Sequence, residues 1–357
     1  MNSEIKRKSI RKKSILRKKK LVVIPIVSVV TIVLISLVSY TLVQTPREFS
    51  LKAAIIDQLG GQFPNATFRE TATSILEGAG FNTTYYESQL VNVNFYQELA
   101  KQNYGIIILR SHSALRYPNN DTVDLFTSEQ FNNQSYRQMW DKGYLSEGEY
   151  LFEQASNTTY FAVTPEFIEN IEGSFPRSIV IAMGCWSLKL DADQMAQAFI
   201  DKGAEAYIGW TSVILPKDTD RETINLLKLL VTQNTSIAQA ISQIKVITYA
   251  TEGNSAVWVR MAYRPLSIAD LTLSELMASA KSLANTTFLC SFQSATSLMT
   301  EPAPRQRLNG AIQQALQAAD NAERLPQKAD SATAPLSNHA CATQRSLQQA
   351  CCPPRLQ

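Results

Sequence analysis

The chain has 357 residues, with 34 Lys or Arg, 31 Asp or Glu and 45% hydrophobic side chains. This composition supports a packed core and excludes wholesale disorder, while 13 Gly and 14 Pro exclude collagen-like and proline-rich chains. Five Cys are too few for a disulfide scaffold. Residues 1–20 carry ten basic side chains and one acid, so the remainder, with 24 basic and 30 acidic residues, is net acidic. A nucleic-acid-binding body is therefore disfavoured.

An uncharged apolar segment, residues 21–43, follows the basic one. At about 1.5 Å per residue it forms about 34 Å of helix, enough to cross the hydrocarbon core of a bilayer. The preceding cations place the N-terminus in the cytoplasm. We therefore predict a cytoplasmic segment 1–20, a transmembrane helix 21–43, a linker 44–50 and an extracellular remainder, as in a single-pass type II protein of the cell membrane. The alternative, a cleaved signal peptide, is disfavoured because the apolar run is too long and no A-x-A site follows.

The remainder contains seven N-x-S/T sequons, which agree with an extracellular glycoprotein although each alone is a weak signal. They begin at Asn65, Asn82, Asn120, Asn133, Asn157, Asn234 and Asn285.

Short apolar runs alternate with helical patterns through the region 51–295, which we predict to be one domain. Strands are predicted at Lys52–Ile56, Thr84–Val91, Gly105–Leu109, Ser178–Met183 and Ala206–Trp210. Helices are predicted at Thr67–Gly80, Asn94–Gln102, Asp191–Lys202, Asp220–Thr232 and Ser236–Ile244. The alternation favours an α/β fold, with an open, mostly parallel sheet and helices on both faces.

Two stretches depart from this alternation. Residues 113–176 are polar and aromatic, and we interpret them as a long insertion with a local hairpin. Residues 296–357 are rich in Ala, Gln and Pro with few large apolar side chains, which indicates a tail outside the fold.

One His and one Cys stand out within residues 44–284. His112 follows the apolar run GIIILR, and Cys185 follows SIVIAM. Catalytic groups of open α/β sheets gather at the carboxyl ends of strands, so neighbouring strands would bring this pair to one edge. A thiol is a strong nucleophile and an imidazole transfers protons near neutral pH, so the pair suits nucleophilic catalysis. Backbone N–H groups between the Cys185 strand and the next helix are suited to bind an oxyanion.

The simpler interpretation of each residue stays open. A lone Cys after an apolar strand is usually a small buried hydrophobe, and a lone His is usually structural. No phosphate-binding, dinucleotide-binding or zinc motif occurs, so we predict neither a metal site nor a cofactor. Asp57, Trp186 and Trp210 are candidates for a substrate pocket, in which Asp57 would favour a basic side chain. Their ordinary roles in turns and core packing are the alternative.

The segments GIIILRSHSA, SIVIAMGCWSL and AQAFIDKGAEAYIGWTSVI resemble the caspase, legumain and gingipain clan of cysteine peptidases, and KAAIIDQLGG resembles the first strand of that fold. The resemblance covers residues 50–250, and gingipain-like members are the most similar. It implies that Cys185 is the nucleophile, that His112 is the general acid/base, and that the backbone N–H groups of Ser113 and Cys185 form the oxyanion hole. Ser113 stands where the family has Gly, and the caspase signature Q-A-C-x-G is absent.

Together these observations predict a membrane-anchored extracellular cysteine peptidase that acts on a peptide or protein substrate. Two alternatives remain. One is a catalytically inactive surface glycoprotein of the same fold that binds peptides or cell-surface components. The other is a transamidase, which forms the same thioester but transfers it to an amine.

Overall fold

A six-stranded sheet forms the centre of the protein in a computed structural model that describes residues 48–149, 158–250 and 256–279. The predicted segments 1–20 and 21–43, most of the linker, the tail 296–357, Asn157 and Asn285 lie outside the described residues. Within the described ranges, no helix combines the length and apolarity that crossing a bilayer requires.

The central sheet has the order β12-β9-β8-β3-β1-β2. Its strands are β1 (Lys52–Asp57), β2 (Asn82–Tyr86), β3 (Ile106–Arg110), β8 (Ile179–Ala182), β9 (Ala206–Trp210) and β12 (Met261–Arg264). The first five are parallel to their neighbours, and β12 pairs antiparallel with β9. The predicted α/β class and largely parallel sheet are therefore confirmed.

Seven helices, α1 to α7, lie between β1 and β10 (Ile247–Ala250) along the described chain. They are α1 (Ala66–Gly78), α2 (Val93–Leu99), α3 (Arg137–Asp141), α4 (Pro165–Asn170), α5 (Gln194–Asp201), α6 (Pro216–Leu227) and α7 (Ile237–Gln243). A π-helical turn, Lys228–Thr232, extends α6, and residues 273–279 are also helical. Single turns of 3-10 helix occur at Gln58–Gly61, Ser88–Leu90 and Leu266–Ile268.

Both faces of the central sheet are covered, because successive side chains of a buried strand point to opposite sides. On one face, Ile106 and Ile108 pack with Leu76 of α1. On the other face, Ile107 packs with Phe199 of α5. The wholly apolar strands follow from this burial on two sides.

The predicted insertion contains more structure than a hairpin. It forms a four-stranded antiparallel sheet of order β4-β5-β7-β6, together with α3 and α4. The strands are β4 (Ser113–Leu115), β5 (Val123–Gln130), β6 (Leu145–Glu149) and β7 (Thr159–Val163). A separate hairpin is formed by β10 (Ile247–Ala250) and β11 (Ala256–Val259).

Several predicted boundaries were wrong by a few residues. The helix expected from Asp191 begins at Gln194, and Asp191 instead pairs with Lys189. The helix expected from Asp220 begins at Pro216, since proline is favoured at the first helical position, where its missing N–H has no partner to lose.

Candidate active site

The strand register brings the predicted His and Cys to one edge of the sheet. Strands β3 and β8 are parallel neighbours, and Leu109 pairs with Ala182. His112 lies three residues beyond Leu109, and Cys185 lies three residues beyond Ala182. Both residues therefore follow the carboxyl ends of adjacent strands, as the sequence predicted.

The two segments that carry this pair contact each other directly. Ser113 Oγ donates a hydrogen bond of 2.6 Å to the Cys185 carbonyl oxygen. Gly184 packs so closely that a Cβ there would lie 2.6 Å from the Ser111 carbonyl oxygen and still nearer to Ser113 Oγ. Only glycine fits this approach, and its absence of a side chain lets the two strand ends meet.

The backbone N–H of Ser113 is directed away from β5. Ser113 pairs with Leu125 across the β4–β5 ladder, while the Phe126 N–H donates to the His112 carbonyl at 3.0 Å. Hydrogen-bonded and non-hydrogen-bonded pairs alternate in an antiparallel ladder, so Ser113 occupies a non-hydrogen-bonded position. Its nitrogen lies 2.9 Å from the place of a Cβ on Gly184. The Ser113 N–H therefore lies on the side of the loop that carries Gly184 and Cys185.

Cys185 lies in a turn that the segment after β9 holds in place. The Ile214 N–H donates to Cys185 Sγ at 3.4 Å, and the thiol donates to the Ile214 carbonyl at 3.5 Å. Trp186 has a φ of 51°, in the left-handed region that bulky residues rarely adopt, and its N–H donates to the Ser212 carbonyl at 3.0 Å. A third strand end therefore takes part in the site.

Two glutamines after β1 hold His112. Gln58, which is buried, accepts a hydrogen bond of 2.9 Å from the His112 backbone N–H through Oε1, and its Nε2 donates to the Thr127 carbonyl at 3.3 Å. Gln62 Oε1 lies 2.9 Å from His112 Nε2. Neither residue was predicted from the sequence, because amide side chains in a polar turn carry no distinct signal.

The imidazole lies in an apolar and cationic environment. The rings of Phe63 and Phe126 both lie 6.1 Å from it in edge-on orientations. Burial, with a further contribution from the positive charge of Arg110, lowers the pKa of His112 to about 3. His112 is therefore neutral near pH 7, the state in which an imidazole accepts a proton.

A buried ion cluster lies beside the histidine. Arg110 Nη1 lies 2.6 Å from Asp57 Oδ1, and Arg110 Nε and Nη2 contact the two oxygens of Asp220 at 2.7 and 2.9 Å. All three side chains are buried. Tyr85 donates to Asp57 at 2.6 Å, and Asn65 donates to Asp220 at 2.8 Å. These bonds compensate for the removal of the charges from water.

This cluster bears directly on the expected role of Asp57. The residue does line a cleft of ≈ 240 Å³ between the carboxyl ends of β1 and β2 and the start of α1. However, its carboxylate is paired with Arg110 instead of being presented alone to a basic substrate side chain. The sequence signal for this pairing is the cation that ends the apolar run of β3. Nothing local to that run indicates its second partner, Asp220.

The two tryptophans predicted to line a pocket occupy different positions. Trp210 is fully buried, and its Nε1 donates to Thr219 Oγ1 at 2.9 Å, so its expected role as a pocket wall is wrong. That hydroxyl donates in turn to the Met183 carbonyl at 3.0 Å, just before the cysteine loop. Trp186 is half-buried next to Cys185, where its role in substrate binding stays a prediction.

The described sequon asparagines differ in their surroundings. Asn65 is half-buried, and its side chain accepts from the Phe68 N–H at 3.0 Å and caps α1. Its amide nitrogen also donates to Asp220, so a glycan on that nitrogen would replace one of its two hydrogens directly beside the ion cluster. The exposed members are Asn82, Asn120, Asn133 and Asn234.

Within residues 48–149, 158–250 and 256–279, no three His, Cys, Asp or Glu side chains are grouped as a metal ion would require. In comparisons with known proteins, no family model and no curated protein matches the chain.

Proposed function

We propose that this protein is a cysteine peptidase of caspase-like fold, with Cys185 as nucleophile and His112 as general acid and base. The observation that supports it best is the placement of both residues at equivalent positions beyond the paired strands β3 and β8. The hydrogen bond from Ser113 to the Cys185 carbonyl also brings the loops that carry His112 and Cys185 into contact. A nucleophile and its base need this proximity.

The reaction follows from these groups. His112 accepts the thiol proton as the sulfur of Cys185 attacks the peptide carbonyl carbon, and the carbonyl electron pair moves to oxygen. The backbone N–H groups of Ser113 and Cys185 stabilise that oxyanion. The C–N bond then breaks, and the imidazolium gives its proton to the leaving amine. Water, deprotonated by His112, attacks the thioester, which releases the acid and restores the thiol.

The location is also a proposal. The cations of residues 1–20 and the apolar run 21–43 support an N-terminal membrane anchor with the catalytic domain outside the cell. In intact cells, protease added outside should digest the chain beyond residue 44 and spare an N-terminal tag. Digestion of the tag would contradict this orientation.

Site-directed variants test the catalytic proposal. We expect Cys185→Ala to abolish hydrolysis of peptide esters and amides, and His112→Ala to lower kcat by about 10²- to 10⁴-fold. A thiol-directed peptidyl probe should label the wild type and fail to label Cys185→Ala. Cys290→Ala is the matched control, because it removes another thiol outside the catalytic segments. Equal turnover by wild type and Cys185→Ala would reject the peptidase.

One observation favours the binding alternative. A general base is most effective when its pKa lies near the working pH, whereas burial lowers the pKa of His112 to about 3. An inactive surface protein that binds peptides tolerates such a weak base. If wild type binds members of a broad peptide library and cleaves none, including those with Arg and Lys, the binding function replaces the enzymatic one.

A further inference from the structure

Gln62 contacts the imidazole of His112 in a way that selects its protonated nitrogen. The amide Oε1 lies 2.9 Å from Nε2, which is hydrogen-bond distance. An amide oxygen only accepts, so this contact is a hydrogen bond when Nε2 carries the proton. In a neutral imidazole the other nitrogen, Nδ1, then holds the available lone pair.

We propose that Gln62 is a positioning residue of the dyad, which fixes His112 as the Nε2–H tautomer so that Nδ1 takes the thiol proton of Cys185. The transfer of the thiol proton to Nδ1 rests on the proposed peptidase function. The tautomer does not, because it is a property of the resting protein.

The turn that carries Gln62 is well held. The Gln62 N–H donates to the Leu59 carbonyl at 3.0 Å, and Gln58, on the same turn, accepts from the His112 backbone. A Cβ on Gly60 would lie 2.8 Å from Asp57 Oδ2, so the turn packs directly on the end of β1. One short segment therefore binds both the main chain and the ring of the histidine.

An amide also orients the ring without adding charge. Charged groups near His112 include Arg110, two residues before it at the end of β3, and the two carboxylates that bind Arg110, Asp57 and Asp220. These carboxylates contact the guanidinium, and the group that contacts the Nε2 atom is the neutral Gln62. The arrangement therefore leaves His112 as a neutral imidazole near pH 7. A carboxylate at position 62 would instead stabilise the imidazolium.

Nuclear magnetic resonance of the full-length chain in detergent tests the tautomer directly. The chain has two His residues, so a His339→Gln variant assigns the signals of both. The nitrogen chemical shifts of His112 at pH 7 distinguish Nε2–H from Nδ1–H. We expect Nε2–H in the wild type.

Two substitutions of Gln62 then separate orientation from charge. Gln62→Leu removes the acceptor, so we expect mixed tautomers and a loss in kcat of about 100-fold with little change in KM. Gln62→Glu keeps an acceptor and adds a charge, so we expect the Nε2–H tautomer to persist and the pKa of His112 to rise by about 1–3. Gln102→Glu, the same change at an exposed position before β3, should alter neither.

Specific outcomes overturn the proposal. It fails if wild-type His112 carries its proton on Nδ1, or if Gln62→Leu, shown to be folded by its unfolding transition, keeps the wild-type tautomer. It fails equally if Gln62→Glu moves the pKa of His112 no more than Gln102→Glu does. These measurements need no turnover. If they agree with the proposal while no substrate is cleaved, the peptidase function fails and the positioning of His112 by Gln62 remains.

Discussion

Gly184→Ala tests whether the two strand ends meet as closely as the structure shows. Gly184 precedes Cys185, and a Cβ added there would lie 2.6 Å from the Ser111 carbonyl oxygen and 2.9 Å from Ser113 N. A carbon atom and an oxygen atom in van der Waals contact lie more than 3 Å apart. The Ser111 oxygen and the Ser113 nitrogen are backbone atoms, so neither can rotate away from the added Cβ. The added methyl group must therefore push the His112 and Cys185 loops apart.

The expected cost has two parts. Overpacking of a close-packed site costs about 1–3 kcal/mol. Separation of the loops also breaks the hydrogen bond from Ser113 Oγ to the Cys185 carbonyl, which contributes about 1 kcal/mol. We therefore expect Gly184→Ala to lower the free energy of unfolding by about 2–4 kcal/mol. If the proposed peptidase function holds, activity should fall as well, because the same shift separates Cys185 from His112.

Urea unfolding of the wild type and variant measures this loss. Gly78→Ala is the matched control, because nothing lies within 4 Å of a Cβ at that exposed end of α1. That substitution should stabilise by about 0.4–1 kcal/mol, since alanine restricts the unfolded chain. Adding Ser113→Gly to Gly184→Ala removes the nearest atom and should recover part of the stability. If Gly184→Ala and Gly78→Ala are equally stable, the close approach of the two loops is refuted.

Three further predictions concern charge and capping. Arg110→Met leaves the buried carboxylates of Asp57 and Asp220 unpaired and should cost about 3–5 kcal/mol in urea unfolding; a loss below 1 kcal/mol would contradict the buried cluster. Asn65→Ala removes the cap of α1 and should cost about 0.5–2 kcal/mol, whereas Asn82→Ala, at an exposed position, should change little. Burial lowers the pKa of His112 to about 3 in the folded chain, against about 6.5 in the unfolded chain. As the pH falls through 6.5, only the unfolded chain takes up the proton, so the free energy of unfolding decreases. Between pH 7.5 and pH 5.0 the wild type should lose about 1–2 kcal/mol more than His112→Gln, and equal losses would show that the histidine is not buried.

The parallel strands were the most predictable part of the fold. Runs such as GIIIL and IVIAM are apolar at every position, because both faces of the sheet are covered, and that pattern is visible without any partner. The insertion was less predictable, since β5 pairs with β7 across the intervening residues 131–158, and no pattern in either strand indicates that partner. Its extent therefore exceeded the hairpin expected for it.

The candidate site was also predictable only in part. His112 and Cys185 were found because each follows a recognisable strand. The core position of Trp210 depends on packing that its own segment does not indicate. The pairing of Asp57 could not be predicted from its segment because the partner is remote: Arg110 is 53 residues from Asp57. A carboxylate at a strand end looks alike whether it faces substrate or a buried guanidinium. Only the three-dimensional pairing distinguishes the two cases.

The end of β3 is where these elements act together. Arg110 is bound by Asp57 and Asp220, the His112 main chain and ring are bound by Gln58 and Gln62, and Ser113 is bound to the Cys185 carbonyl. These contacts come from three parts of the sequence, which are the turn 57–62, α6 and the Cys185 loop, so the end of β3 is bound by three separate segments. Such rigidity costs nothing during a reaction, since a preorganised group need not be reordered for each turnover. This rigidity is less useful in a binding site, because binding a peptide requires a complementary surface and no fixed proton acceptor. The multiple constraints on one neutral histidine thus favour catalysis over simple binding.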